Sequence, residues 1–328
     1  MKKSIILILL MGMVMATSFS LTLTKVATLP GYRSVDYFNG KFMFGEKNGN
    51  VSVYDENFEK IGSYKISDYP ITVVGATMGM GGYDLFFGDS AGKIFRYTEN
   101  FKYVGSLKPF NSSVWCIARP KIPGIPRFVV GSLKGIMIEF TPSELMNRSK
   151  KEGFAPVSVN DLNIENSNSS SQIWDMEYVS NDMNLNTVTI DGILTSFAEN
   201  SFSFRQVAKE NIDTLSYSTV TKDNNVYVGG NGKIVEYQAD FSGISPWKKA
   251  KEIKINNTVY SMAFDTEGDL ITGNEKGDLI IYNSNFSAIK TINISKTPIW
   301  LVRVFNTMTN EILIAIDNNG NVNIFKIK

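Results

Sequence analysis

The sequence predicts an all-β fold, a seven-bladed β-propeller of four-stranded antiparallel blades, and three observations carry that prediction. A glycine with an aromatic residue five positions later recurs seven times: Gly49/Tyr54, Gly92/Tyr97, Gly135/Phe140, Gly192/Phe197, Gly232/Tyr237, Gly277/Tyr282 and Gly320/Phe325. Successive glycines lie 43, 43, 57, 40, 45 and 43 residues apart. A period near forty, flanked by strand-forming residues, marks propeller repeats. The third observation is a mismatch of ends. A strand-like segment near the start has no glycine unit before it, and the seventh unit stops at Lys328, one strand short.

Taken in order, the chain begins with Lys2 and Lys3 as a positive segment, then an apolar run of twelve residues from Ile5 to Ala16, then the small side chains of Ser18 and Ser20. A spanning helix needs about 20 apolar residues. The run therefore reads as a signal peptide over residues 1–20, cleaved near Ser20–Leu21. The expected protein is exported, periplasmic or extracellular, with no transmembrane segment after signal removal. Residues 21–328 form the expected propeller. Leu21 to Pro30 reads as an outer strand like Glu59 to Ile66. Pairing it with the C-terminal blade closes the ring and removes an open sheet edge.

The sixth unit shows the expected blade: Val259 to Phe264, Leu270 to Thr272, Asp278 to Tyr282 and Ser287 to Ile294. Gly277 closes the hairpin between the second and third strands, where φ must be positive. An Asn-Phe pair follows the third strand at Asn57-Phe58, Asn100-Phe101 and Asn285-Phe286, with Asp240-Phe241 as a variant. The asparagine is expected to bond its own turn and the phenylalanine to pack between blades. Runs such as Leu279-Ile-Ile and Ile312-Leu-Ile-Ala are apolar on both faces, as sheets sandwiched between neighbours require. The long third unit holds Thr141-Pro-Ser-Glu144, a capping box that predicts a short helix over about 142–150.

Composition excludes several chemistries. Lys and Arg number 33 against 32 Asp and Glu, so no nucleic-acid partner is expected. The chain has no histidine, the commonest general base and metal ligand. Its one cysteine, Cys116, precludes an intrachain disulfide or cysteine zinc site and reads as a small buried hydrophobe.

Gly49-Asn-Val-Ser-Val-Tyr-Asp55 resembles the closing strand of WD40-type repeats, with Tyr-Asp where that family often has Trp-Asp. It is also similar to the quinoprotein-like repeat. The resemblance covers all seven units and implies a propeller fold. It departs from both families: the Gly-His element is absent, and Ser63-Tyr64 and Gly105-Ser106 stand where quinoprotein repeats close with tryptophan. A quinone is therefore not carried over, and no cofactor is expected.

Superposing the units on their glycines brings the starts of the inner strands together. Trp115, Trp174, Tyr260 and Trp300 coincide there, with Tyr32, Thr72 and Asp213 at the same place in the first, second and fifth units. These aromatics, Tyr32 included, are expected around one mouth of the central channel. There they would form a surface for another protein, a peptide or a saccharide. A second candidate surface is the decorated opposite face, with Trp247 displayed beside Lys248 and Lys249, and with Arg148, Lys150 and Lys151 near the predicted helix. The stiff turn Pro120 to Pro126 and the turn from Gly243 belong to the same face, as does Arg119. Carboxylates on the hairpins (Glu46, Asp89, Asp191, Glu275, Asp317) offer the only acid–base pairs in view. No catalytic residue or metal ligand is assigned, since acidic residues favour such turns for backbone reasons alone. The functional expectation is a monomeric, non-catalytic binding scaffold. The competing expectation is a carbohydrate-active or quinone-dependent enzyme using carboxylates at one mouth.

Overall fold

A computed structural model describes residues 21–79, 82–119, 128–135, 137–140, 172–179, 184–200, 203–239 and 247–328. The signal peptide, the turn from Pro120, the helix over 142–150 with Arg148, Lys150 and Lys151, and the turn from Gly243 lie outside the described residues. Among the described residues every regular element is a strand. None is a helix long and apolar enough to cross a membrane.

Strand β1 (Leu23–Leu29) leaves its sequence neighbours and joins the last sheet. The next blade is a meander of β2 (Tyr32–Phe38), β3 (Lys41–Glu46), β4 (Asn50–Asp55) and β5 (Lys60–Lys65). It is followed by β6 (Ile71–Gly79), β7 (Gly82–Asp89), β8 (Ile94–Thr98) and β9 (Tyr103–Leu107). A three-stranded sheet holds β10 (Val114–Ala118), β11 (Phe128–Ser132) and β12 (Met137–Phe140). Then come β13 (Ile173–Tyr178), β14 (Asn184–Thr189), β15 (Ile193–Asn200) and β16 (Ser203–Asn211). A six-stranded sheet takes β17 (Ser216–Lys222), β18 (Asn225–Ala239), β19 (Trp247–Phe264), β20 (Leu270–Asn274), β21 (Asp278–Tyr282) and β22 (Ala288–Asn293). The last sheet orders β1 beside β25 (Val322–Ile327), then β24 (Glu311–Asp317), then β23 (Ile299–Asn306).

Among the described residues the sheets thus number six, five of them discrete blades, where seven blades were expected. The difference lies in β18 and β19. β18 pairs with β17 up to Gly230 and with β19 from Asn231, and β19 pairs with β20 from Val259. β18 turns at Gly232, whose φ is +77°, with a register shift between Asn231 and Lys233, and β19 carries on from β18 to β20, so two meanders share one sheet. The innermost strands pack side by side around the molecule: β2 on β6, then β10, β13, β17, β19 and β23, and β23 on β2 again. The architecture is a propeller-like ring of small antiparallel sheets.

The packing explains the apolar strand centres. Phe42, Met43 and Phe44 are consecutive and fully buried. Phe42 and Phe44 join a cluster with Ile312, Ile314, Ile316 and Ile324 on one side of their sheet. Met43 joins Val74, Leu85 and Phe87 on the other. A strand covered on both faces has no polar side, and each buried side chain of this size stabilises the fold by about 1.5–3 kcal/mol.

The repeated glycine is dictated by proximity as well as by dihedral. Gly49 has φ +84°, and a Cβ built there would sit 2.0 Å from the Ser67 carbonyl oxygen. The Gly49 carbonyl accepts from the amides of Ile66 (3.1 Å) and Ser67 (3.0 Å), drawing the exit of the outer strand against the hairpin. The partner aromatic marks a β-bulge in the outer pairing: the register slips at Tyr54, Tyr97, Phe197, Tyr237 and Tyr282. β1 shows the same slip opposite Phe325, between Lys25 and Ala27.

The Asn-Phe turns need one correction. The acceptor is the residue two places before the asparagine. Asp55 Oδ1 accepts from the amides of Asn57 (2.9 Å) and Glu59 (2.8 Å), and Asn283 Oδ1 from those of Asn285 (3.1 Å) and Ser287 (3.0 Å). Phe58, Phe101 and Phe286 take positive φ of 63°, 57° and 61°. Their rings pack between blades, Phe101 stacked on Tyr64 at 3.8 Å and 5°.

Candidate functional site

The site is built by a backbone irregularity repeated around the ring. Every inner strand has a β-bulge at its start, and each skips one residue in its pairing: Arg33, Thr72, Trp115, Trp174, Tyr217, Tyr260 and Trp300. A bulge re-aims the extra side chain away from the regular pleat. The seven extra side chains line the mouth of one central cavity of about 520 Å³.

Five of the seven are aromatic and meet one another. Ring centroids are 5.2 Å apart for Trp115–Trp174, 5.2 Å for Trp174–Tyr217, 4.8 Å for Tyr217–Tyr260 and 5.7 Å for Tyr260–Trp300, the last pair stacked at 7°. Trp300 also reaches Trp174 at 5.8 Å and Trp115 at 6.1 Å. The rings therefore form a contiguous cluster at the mouth, and all five stay half-buried. The Trp300 Nε1–H is buried without an acceptor among the described residues.

Of the expected mouth residues, the structure brings Trp115, Trp174, Tyr260 and Trp300 together with Thr72. Two assignments are corrected. Tyr32 is only 4% exposed; its hydroxyl meets that of Tyr54 at 2.5 Å and its ring lies 5.0 Å from Phe44. The first unit's mouth residue is instead the exposed Arg33. Asp213 sits in an exposed turn with φ +56°, and the fifth unit's mouth residue is Tyr217. The first is a one-residue register error, because nothing in a single strand marks where a bulge inserts its extra residue; Asp213 lies four residues early, in the turn before β17.

The secondary surface is also corrected. Trp247 is buried (6% exposed), packed with Leu194 and Tyr237, and donates from Nε1 to Ser196 Oγ. It starts an outer strand opposite Ala239, and that register turns its indole toward the neighbouring sheet. Lys248 and Lys249 are exposed, and Lys249 pairs with Glu252, whose carboxyl its hydrogen bond holds below the usual range. Arg119 does not join a basic face. Its Nη1 and Nη2 each lie 2.9 Å from Asp36, and it also donates to the Ala76 carbonyl.

Below the rings the inner strands are stitched by side chains that the sequence reading missed. Asp175 Oδ2 accepts from the Thr219 amide (3.1 Å) and Ser218 Oγ (3.2 Å). Ser218 Oγ accepts from the Met262 amide (3.1 Å), and Ser261 Oγ from the Val302 amide (2.9 Å). The available signal was the residue after each mouth aromatic: Trp174-Asp175, Tyr217-Ser218, Tyr260-Ser261. Burial raises the Asp175 carboxyl above its ordinary value, while Arg303, 3.9 Å away, and the Thr219 amide oppose the rise. Burial pushes the Cys116 thiol up as well, with Asp175 adding to it, consistent with a packed, unreactive thiol.

The hairpin carboxylates serve their own turns. Asp89 accepts from Ser67 Oγ (2.7 Å) and the amides of Ala91 (3.0 Å) and Lys93 (2.8 Å). Asp317 accepts from Ser295 Oγ (2.7 Å), the Asn321 amide (2.8 Å) and Asn321 Nδ2 (2.9 Å). Burial opposes ionisation of Asp317, but the Asn321 and Ser295 donors outweigh it and hold the carboxyl below its ordinary value. Glu46 accepts from Ser52, Asp191 from Thr189 and Glu275 from the Thr258 amide. No protein-family model matches the chain, and no curated protein does.

Proposed function

We propose that this chain is an exported, non-catalytic propeller that binds a ligand or partner at the aromatic mouth of its channel. The observation that carries the reading is the cluster of Trp115, Trp174, Tyr217, Tyr260 and Trp300, which converge from five strands yet keep accessible surface above a cavity of about 520 Å³. That volume falls within the roughly 300–1,000 Å³ of small-molecule sites, and half-exposed aromatic rings are frequent binding anchors. The enzyme reading is less well supported. Each hairpin carboxylate is engaged by donors of its own or an adjoining strand or turn rather than by a second carboxylate. The direct test immobilises the full chain and probes it with a random peptide library and a glycan array. Ligands should be enriched whose retention falls at least tenfold on Trp174→Ala or Tyr217→Ala. Enrichment indifferent to both substitutions refutes the aromatic mouth as the binding surface.

The finer architecture belongs to the same proposal. Seven blades are supported by seven bulged inner strands and by the six-stranded sheet, in which β18 turns at Gly232 and β19 passes near Thr258 from its pairing with β18 to its pairing with β20, giving two meanders of four strand segments each. Closure by the N-terminal strand is supported by six register pairs between β1 and β25, and by the Tyr32 amide bonded to the Gly320 carbonyl at 3.0 Å. Removing Leu21 to Pro30 should lower the melting temperature by many degrees. An unchanged melt sinks the closure. Export rests on the leader-like residues 1–20, and intact-mass measurement of protein from the native host reads it directly.

A further inference from the structure

Among the described residues, the channel wall contributed by β23 carries one donor without a partner and one that is under-paired. The Nε1–H of Trp300 is buried with no acceptor. Arg303, three residues on, lines the same cavity with its side chain 37% exposed. Its Nη1 donates to the Val302 carbonyl at 3.0 Å, but its nearest approach to Asp175 is 3.9 Å, beyond hydrogen-bond distance. Asp175 is served instead by Ser218, Thr219 and Met176. Among the described residues the guanidinium keeps most of its protons unused. Of the two other channel arginines, Arg119 is held by Asp36 through two 2.9 Å contacts, and Arg33 stands exposed at the mouth on β2. The channel wall at β23 therefore offers an under-paired cation and an orphan indole donor beside a surface of aromatic rings.

We infer that the channel takes a monoanionic carboxylate joined to a flat apolar body, its oxygens accepting from Arg303 and the Trp300 Nε1–H while its body lies against the aromatic cluster. Arginine recognises carboxylates through paired donors, and a buried indole donor gains by meeting an acceptor. The charge is set by the neighbours. Asp175 and Glu177 on β13 line the same channel as Arg303, so a dianion placed there meets more repulsion than a monoanion. An aryl acid and a peptide ending in an aromatic residue share this chemistry. The inference rests on the channel being the binding site and adds the class of ligand.

Three of the four tryptophans stand at the site, so intrinsic fluorescence of the full chain reports occupancy. The probes are 3-phenylpropionate, N-acetyl-glycyl-phenylalanine with a free C-terminus, and the amide of each. Both acids should quench saturably and both amides bind at least tenfold more weakly. A response to the free acid alone assigns a small metabolite, and a response at least tenfold tighter to the dipeptide assigns a peptide terminus. Arg303→Gln should weaken the acids at least tenfold and leave the amides unchanged, while Trp300→Phe, which keeps a ring and removes the donor, should weaken them several-fold. If Arg303→Gln does not fold, the wild-type chain still decides, because acid binding must weaken with rising salt and amide binding must not. Equal binding of acids and amides, or no response to either, overturns the inference. Library ligands that still depend on Trp174 would then leave the wider reading standing.

Discussion

Two groups of aromatic rings in this molecule are built from similar residues and end in different states. The first lies where the opening and closing blades meet: Tyr32, Phe42, Phe44 and Tyr54, with Phe58 and Phe305 against them, sealed by Ile312, Ile314 and Ile324. The second is the channel cluster of Trp115, Trp174, Tyr217, Tyr260 and Trp300, in contact at 4.8–6.1 Å and half-exposed. The difference is a single step along the chain. Tyr32 stands just before its strand's bulge and points into the seam, whereas Arg33 occupies the bulge and faces the channel mouth. Residue type does not decide between wedge and binding surface; position relative to the bulge does.

The largest expected effect tests the sealed cluster. Phe44 is fully buried between Tyr32 and Tyr54, so Phe44→Ala should cost about 3–5 kcal/mol in urea unfolding. A loss under about 1 kcal/mol would show that the seam relaxes freely, contrary to a sealed wedge. Gly49→Ala comes next, at about 2 kcal/mol, from left-handed backbone strain and collision with the Ser67 carbonyl. A neutral result there would mean that the hairpin and outer strand are not held together as described.

Trp174→Ala sharpens the contrast from the channel side. Its indole touches three rings but keeps exposed surface, so the expected cost is about 1–2 kcal/mol, well below that of Phe44. Equal costs at the two positions would erase the distinction between the clusters. The smallest effect is a control that touches neither. Burial raises the Asp265 carboxyl from 3.8 to about 6, and its Oδ2 has no hydrogen-bond partner among the described residues. The native state thus holds the proton more tightly than the unfolded chain. The penalty is absent below about pH 4, grows between about pH 4 and 6, and is complete above that. Asp265→Asn should therefore gain about 1 kcal/mol at pH 7 and flatten the stability profile across that window. A variant no more stable than the parent at pH 7 would remove burial as the cause.

Much of the fold was legible because its determinants are local. Gly49 and its six counterparts announce hairpins whose backbone must turn with positive φ, and all seven do. Apolar runs such as Ile312 to Ala315 announce strands covered on both faces. The site was legible only in outline. Trp115, Trp174, Tyr260 and Trp300 can be grouped by counting from the glycines, yet the first unit's mouth residue is Arg33 rather than Tyr32 and the fifth unit's is Tyr217 rather than Asp213. Trp247 was expected among exposed lysines and is instead a packing residue bonded to Ser196.

The sequence by itself determined the repeat, the strand order within each unit and the residues at each hairpin, because these depend on neighbours within a few positions of one another. Only the tertiary structure decided which side chain of each inner strand faces the channel, that five rings meet there, and that Arg119 belongs to Asp36 while Arg303 stays under-paired. Those outcomes depend on the register of one residue against strands about forty positions away, and a one-residue slip moves a side chain from one face to the other. A chain of local preferences carries no record of that long-range choice; the packing of sheet against sheet makes it.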